Sequence, residues 1–266
     1  MLAGISGVMT DIDDTLTAGG RLDPPAAVAL LRLAAAGVPV VAITGRPLGW
    51  SADFLRTEPA AASLRAVVAE NGAVALLPDA QVVATEFAQD THTREHNARR
   101  LQRVLARIVA EVPGAMAARD SAGRVTDIAI DHSEFTTLPP EGIARVVALM
   151  QAEGMNATVS SIHVNGWFGQ HDKLSGARWM VQRLFGRTLD DELTRWVYVG
   201  DSTNDQTLFG HFPISVGVAN VLHFSDQLHT WPAWITQGER GAGFAEMADA
   251  VCAARALGPS SQPDPA

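Results

Sequence analysis

The chain has 266 residues, 47% of them hydrophobic and 18% charged, a composition that supports a sizeable buried core and argues against a disordered chain. At roughly 100–200 residues per domain, the length allows one large domain or two modest ones. A net charge of −9 and a pI near 5.3 argue against a basic face for reading a nucleic-acid backbone, and say nothing against a small anionic ligand.

The segment Ile5–Met9 is a short apolar run ending in acids and is expected to be a buried strand. Asp23-Pro24-Pro25 is a helix start, with Asp23 as N-cap and proline in the first turn. Ala26–Ala36 continues that helix and Gly37 closes it. Val38–Ile43 is a second strand, broken by Thr44-Gly45-Arg46-Pro47; a helix over Leu48–Arg56 and a third strand over Ala66–Ala69 follow. Near-continuous apolar strands alternating with helices predict a parallel sheet covered on both faces.

The middle of the chain reads differently. A strand is expected at Val82–Thr85, a long arginine-bearing helix at Arg94–Glu111, and a one-face-buried strand at Thr126–Ile130. A helix opened by Pro139-Pro140-Glu141 runs to about Gly154, and one strand is expected over Ala157–Val164. Parallel α/β signals then return: helix Lys173–Phe185, strand Trp196–Val199, helix Asp205–His211 and strand Ile214–Val218. The division expected is a core of 1–80 and 167–257, an α+β insert of 81–166, and a disordered Pro/Ser-rich tail of 258–266. The single Cys252 permits no intramolecular disulfide and is expected to be buried on a helix. Met1–Ile5 lacks a signal-peptide pattern and no run reaches the ~18 apolar residues of a membrane span, so a cytoplasmic location away from membranes is expected.

Polar clusters fall just past the C-terminal ends of apolar strands, where parallel α/β sheets keep their sites. They are Asp11-Ile12-Asp13-Asp14-Thr15, Thr44-Gly45-Arg46 and Gly200-Asp201-Ser202-Thr203-Asn204-Asp205. Acids gathered there repel one another, and a divalent cation with hard oxygen ligands relieves that repulsion.

These residues resemble the phosphatase branch of the haloacid dehalogenase superfamily. Asp11 to Thr15 matches its Asp-x-Asp-x-Thr motif, Thr44 its second motif, Lys173 its third, and Gly200 to Asp205 its Gly-Asp-x-x-Asn-Asp motif. The motifs frame residues 11–205 and the resemblance in fold covers about 1–257. The insert, Glu70-Asn71-Gly72 and Ser161–Asn165 resemble the type IIB (C2B) capped branch. That branch includes sucrose-phosphate, mannosyl-phosphoglycerate, trehalose-phosphate and Cof-type phosphatases, and phosphomannomutase. The fold implied is a Rossmann-like parallel-sheet core with an α+β cap.

The resemblance implies Asp11 as nucleophile and Asp13 as general acid and base. It implies Thr44 and Lys173 on the transferring phosphoryl group, and Mg²⁺ held by Asp11, the Asp13 carbonyl, Asp201, Asn204 and Asp205. Gly45, Arg46 and Asn71 are expected at the substrate. His163 and Asn165 alternate along a strand and share a face; that face either reads substrate hydroxyls or meets solvent. Trp167 and Phe168 are expected to pack the hinge, with a sugar-stacking wall as the alternative, and Asp14 to serve a turn.

The expected activity is hydrolysis of a small phosphorylated metabolite, a sugar phosphate or glycosyl phosphoglycerate, with no nucleic-acid or membrane partner. A phosphomutase using the same nucleophile is the alternative, and a non-catalytic binding module the remote one. The sequence leaves the oligomeric state open. His92-Thr93-Arg94-Glu95-His96 matches an inverted zinc-protease signature but has no third ligand in view, so an exposed first helical turn is expected. Gly238 to Gly243 lacks dinucleotide-site glycine order and is expected to be a loop.

Overall fold

The computed structural model describes residues 2–78 and 83–257. The tail 258–266 and the expected boundary at 80/81 lie outside the described residues.

The first apolar run forms β1 (Gly7–Thr10), followed by a small hairpin of β2 (Thr17–Ala18) and β3 (Arg21–Leu22). Helix α1 (Pro24–Ala35) opens with both prolines in its first turn, where a missing N–H costs nothing. Asp23 occupies the N-cap position but its side chain makes no capping bond, against expectation, because the two prolines remove early donors. Gly37 ends the helix at φ 68°, a conformation that favours glycine. Then come β4 (Val40–Ile43), α2 (Leu48–Thr57) and β5 (Ala66–Ala69), each fully buried strand matching an apolar run.

Two strands extend the sheet beyond what the sequence suggested. Strand β6 (Val74–Pro78) turns back antiparallel on β5, and β7 (Val83–Phe87) pairs antiparallel with β6. The strand expected in the insert is therefore β7 of the large sheet. Its exposed side chains hid the link, because an edge strand needs only one buried neighbour.

The chain then builds a second layer pair: α3 (Thr91–Glu111), β8 (Met116–Ala117), β9 (Asp127–Asp131), α4 (Pro140–Ala152), β10 (Asn156–Val159) and β11 (His163–Trp167). Asp90 caps α3 by accepting from the Thr93 N–H at 2.9 Å. The strand expected over 157–164 is two antiparallel strands, because Ser160-Ser161-Ile162 makes a turn between them. The small sheet has order β10-β11-β9-β8, and its helix-facing side chains, Ile128, Ile130 and Val164, join Leu101, Val104, Ile108, Val146 and Met150 in a separate core. All five residues of β9 and all five of β11 are buried. The half-exposed sheet read from alternation is corrected: the polar face lies against the large sheet's site end.

Helix α5 (Lys173–Phe185) starts with a reciprocal cap between Asp172 and Ser175 and ends at left-handed Gly186. Strand β12 (Trp196–Gly200), α6 (Gln206–His211), β13 (Ile214–Gly217), β14 (Trp234–Ile235) and α7 (Arg240–Ala256) complete the chain. The large sheet has order β14-β13-β12-β1-β4-β5-β6-β7, parallel from β14 to β5. One face buries Leu30, Leu33 and Phe244 under α1 and α7; the other buries Met180, Val181, Phe209 and Phe212 under α5 and α6. The 238–243 segment, expected to be a loop linking no strand to a helix, is a loop only to Glu239 and leads from β14 into α7, of which Arg240–Gly243 is the first turn. Its glycines serve close packing: a Cβ at Gly241 would crowd Asp23, and one at Gly243 would crowd Val218. Cys252 lies on α7 as expected but is half-buried. Among the described residues, no helix is long and apolar enough to cross a membrane.

Candidate active site

The C-terminal ends of β1, β4 and β12 bring the sequence clusters to one place. Asp11 follows β1, and its N–H donates to the Val199 carbonyl of β12 at 2.8 Å. Lys173, at the first position of α5, reaches across with Nζ 2.6 Å from Asp11 Oδ1 and 2.7 Å from Asp205 Oδ1. All three side chains are at most 5% exposed. Burial opposes the Lys173 charge, yet the two carboxylates hold its pKa above the ordinary ammonium range. Burial pushes Asp11 up to about 8; Asp205 and Asp13 add to the rise, and Lys173 restrains it. Asp201 is raised well above its usual range, first by burial and then by the charges of Asp11, Asp205 and Asp14.

Asp11, Asp201 and Asp205 place carboxylate oxygens within 4.8 Å of one another. Asp201 Oδ1 is buried without a hydrogen-bond partner among the described residues. An orphaned carboxylate oxygen facing two further acids fits a divalent cation. Asp205 is differently engaged. Its Oδ1 accepts from Lys173 and, at 2.5 Å, from the Tyr198 hydroxyl; its Oδ2 accepts from the backbone N–H groups of Asp201 and Ser202. Asp205 thus fixes the lysine and the loop that carries Asp201. Asn204 lines the cavity and accepts from Ser202 Oγ at 2.9 Å.

Thr44 is fully buried after β4 and accepts the Arg46 N–H at 3.0 Å. Gly45 follows, and a Cβ there would sit 3.2 Å from Asn165 Oδ1 and 3.3 Å from the Asn71 amide, so any larger residue would press on both side chains. Asn71 is left-handed at φ 53° and donates its backbone N–H to Thr44 O. It braces the loop and does not line the cavity. Asp14 makes the expected turn at φ 52°, and its carboxylate accepts from Arg240 Nε at 2.9 Å.

The small sheet closes over these loops. Arg46, 4% exposed, donates from Nε to both oxygens of Asp13, at 2.9 and 3.0 Å. Its terminal nitrogens reach Asp120 at 3.3 Å and Glu134 at 2.8 Å. Arg124 donates to Gly45 O at 3.0 Å and grips Asp127 at 2.8 and 2.9 Å and Asp120 at 3.1 Å. Asn165 donates to Gly45 O and to Asp127. His163 Nε2 lies 2.9 Å from Glu134 Oε2. Burial pushes Glu134 up, but His163 and Arg46 outweigh it and bring it to about 2. Burial raises Asp127 to about 7 against the pull of Arg124.

His163 and Asn165 are 3% and 2% exposed, so the solvent-facing alternative for that strand face is excluded. With Asp11, Asp13, Arg46, Ser160 and Asn204 they line a cavity of about 10 Å³, room for roughly one water. Trp167 packs as expected, stacked on the His171 ring and donating to the His171 carbonyl at 2.8 Å; Phe168 lies under Arg100. His92 and His96 are exposed and belong to neither cluster able to hold a metal among the described residues.

Sequence reasoning missed Tyr198, Asn220, Asp120, Arg124, Asp127 and Glu134, and singled out Glu70 without a role for it. Asn220 donates to Asp201 Oδ2 at 3.2 Å and to the Asp14 carbonyl at 3.0 Å, tying two site loops together. Its position shortly after apolar strand β13 was an available signal. Glu70, wholly buried, accepts from the backbone of Leu48, Val125 and Thr126 and from the Thr126 hydroxyl.

Residues 8–110 match the family model described as haloacid dehalogenase-like hydrolase. No curated protein matches the sequence significantly. Among solved structures, a Thermoplasma acidophilum protein aligns with TM-score 0.70 at 14% identity, over 93% of this chain and 98% of that one. The sucrose-phosphatase of Synechocystis, solved with sucrose and phosphate, aligns at 0.66 and 17%, over 93% and 98%. A haloacid dehalogenase-like hydrolase from B. subtilis aligns at 0.65 and 14%, over 92% and 99%. The matched segment carries Asp11, Asp13 and Thr44, and nearly the whole chain shares its fold with these solved structures.

Proposed function

We propose that the protein is a Mg²⁺-dependent phosphatase acting on a small phosphorylated metabolite, a sugar phosphate in class, through a phosphoaspartate on Asp11. The observation that carries this reading is the buried Lys173 ammonium bridging Asp11 and Asp205 beside the orphaned oxygen of Asp201. Such an array suits a dianionic phosphoryl group better than a neutral substrate.

A carboxylate oxygen of Asp11 attacks phosphorus as the ester P–O bond breaks, and Asp13 gives its proton to the departing alkoxide. Water then attacks the phosphoaspartate while Asp13 takes a water proton; phosphate leaves and the Asp11 carboxylate is restored. The two Arg46 bonds to Asp13 suit the base half of this cycle. In the acid half Asp13 holds a proton, and the arginine contact lengthens as substrate enters. Lys173 keeps Asp11 oriented and offsets negative charge, while Thr44 Oγ1 donates to a phosphoryl oxygen in this reading.

Asp11, the Asp13 carbonyl and Asp201, with Asn204 and Asp205 around them, would hold Mg²⁺, which when bound supplies charge neutralisation and orientation for the phosphoryl group. Phosphate release from a panel of phosphorylated sugars tests the reading, with and without EDTA and beside Asp11→Asn. Release is expected only with Mg²⁺ and wild-type Asp11; undiminished release from Asp11→Asn refutes the nucleophile.

A further inference from the structure

The guanidiniums behind the cavity have no charge left to offer. Arg46 is the one guanidinium or ammonium lining it among the described residues, and it already faces Asp13, Asp120 and Glu134. Arg124, one layer back, is bound to Asp120 and Asp127. His163, the other basic group on the wall, sits against Glu134. Two guanidiniums therefore meet four carboxylates, and even with Asp127 protonated the acids outnumber them. Lys173 is committed to Asp11 and Asp205 and to the phosphoryl position.

We propose that, within the phosphatase reading above, Glu134 and Asp120 make this site selective for esters of uncharged polyhydroxy alcohols and exclude esters whose alcohol carries a carboxylate. A carboxylate in the leaving group gains a partner only by taking Arg46 from Glu134 and Asp120, which leaves Glu134 with His163 alone and Asp120 sharing Arg124 with Asp127. A hydroxyl needs no such exchange. It can accept from Arg46 or Asn165 and donate to Glu134 or Ser160, since hydroxyls serve both roles. One uncompensated negative charge about 5 Å away, at an effective dielectric near 20, corresponds to roughly a hundred-fold discrimination.

The test uses glucitol 6-phosphate and 6-phosphogluconate, which differ by a carboxylate at the far end of the same chain, and acetyl phosphate, an acyl phosphate, as a minimal phosphoryl donor. Each sugar ester is scored as a substrate and as a competitor of acetyl phosphate hydrolysis, so that one that is not turned over still reports its affinity. Wild type is expected to favour glucitol 6-phosphate by about a hundred-fold in kcat/KM or inhibition constant. Glu134→Gln releases part of the Arg46 charge and is expected to narrow that ratio about ten-fold by improving 6-phosphogluconate, a gain that structural damage does not produce. Equal handling of the two esters, binding of neither, or a ratio unmoved in Glu134→Gln overturns the inference while acetyl phosphate hydrolysis keeps the phosphatase reading. No hydrolysis of any of the three compounds removes that reading and this inference with it.

Discussion

Lys173→Met removes a buried ammonium while keeping most of its length and volume. Two carboxylates 2.6 and 2.7 Å from Nζ, neither more than 5% exposed, then lose their shared counter-charge. Removing one partner of a buried ion pair costs about 3–5 kcal/mol, because the charge left behind stays desolvated. At about 2–4 °C per kcal/mol for a chain of this size, the metal-free variant should melt roughly 6–20 °C below wild type. Part of the loss should return with Mg²⁺, which brings positive charge to the same acids, so the stabilisation by Mg²⁺ should be larger in the variant. The catalytic loss should be about 10²–10³ in kcat, the scale for deleting one preorganised electrostatic partner. Differential scanning calorimetry with EDTA and with Mg²⁺, beside steady-state phosphate release, measures all three quantities. A melting shift below 2 °C with a near-wild-type rate would falsify the claim that this ammonium holds the acids together.

His171 is buried beside the Trp167 ring, and burial lowers its pKa to about 4. A depressed histidine stays neutral in the folded state while the unfolded chain takes up a proton near pH 6.5, so stability is lost as pH falls from about 6.5 towards 4. The loss should approach about 3 kcal/mol at the acid end; urea midpoints against pH should show it, and His171→Leu should remove that slope. Glu70→Gln replaces a four-partner acceptor with an amide that presents hydrogens to donors, and should cost about 2–4 kcal/mol by chemical denaturation. An unchanged denaturation midpoint would show that Glu70 does not pin the small sheet's loop. Gly45→Ala should keep its circular dichroism yet lose about ten-fold or more in kcat/KM, because the new methyl displaces Asn165 and Asn71 by a few tenths of an ångström. Full activity would mean that the loop has slack.

The site's core was legible because parallel strands are short apolar runs and whatever polar residues follow them are delivered to one edge. Asp11, Thr44 and Asp201 were readable for that reason, and Lys173 only through the resemblance in motif order. The partners that set their charge were not. Tyr198 sits inside an apolar strand, where an aromatic reads as core, and its bond to Asp205 depends on how the following loop curls back. Asp120 and Glu134 lie in irregular segments, and their meeting with Arg46 joins positions 74 and 88 residues apart. The buried polar faces of β9 and β11 had the alternation of solvent-facing strands, because a face packed on a polar site and a face packed on water have the same pattern. The turn at 160–162 was passed over because alternating residues on each side of it disguised two strands as one.

A cavity of about 10 Å³ cannot admit a sugar phosphate. The contacts from Arg124 and Asn165 to the Gly45 carbonyl that seal it therefore act as a tax on apparent affinity: every encounter waits for the fraction of molecules in which they are broken. If that fraction is about one in a hundred, measured KM exceeds the intrinsic dissociation constant about a hundred-fold. The same contacts, re-formed over the phosphoaspartate, decide how long product stays, so turnover should respond to solvent viscosity before it responds to the leaving group's basicity.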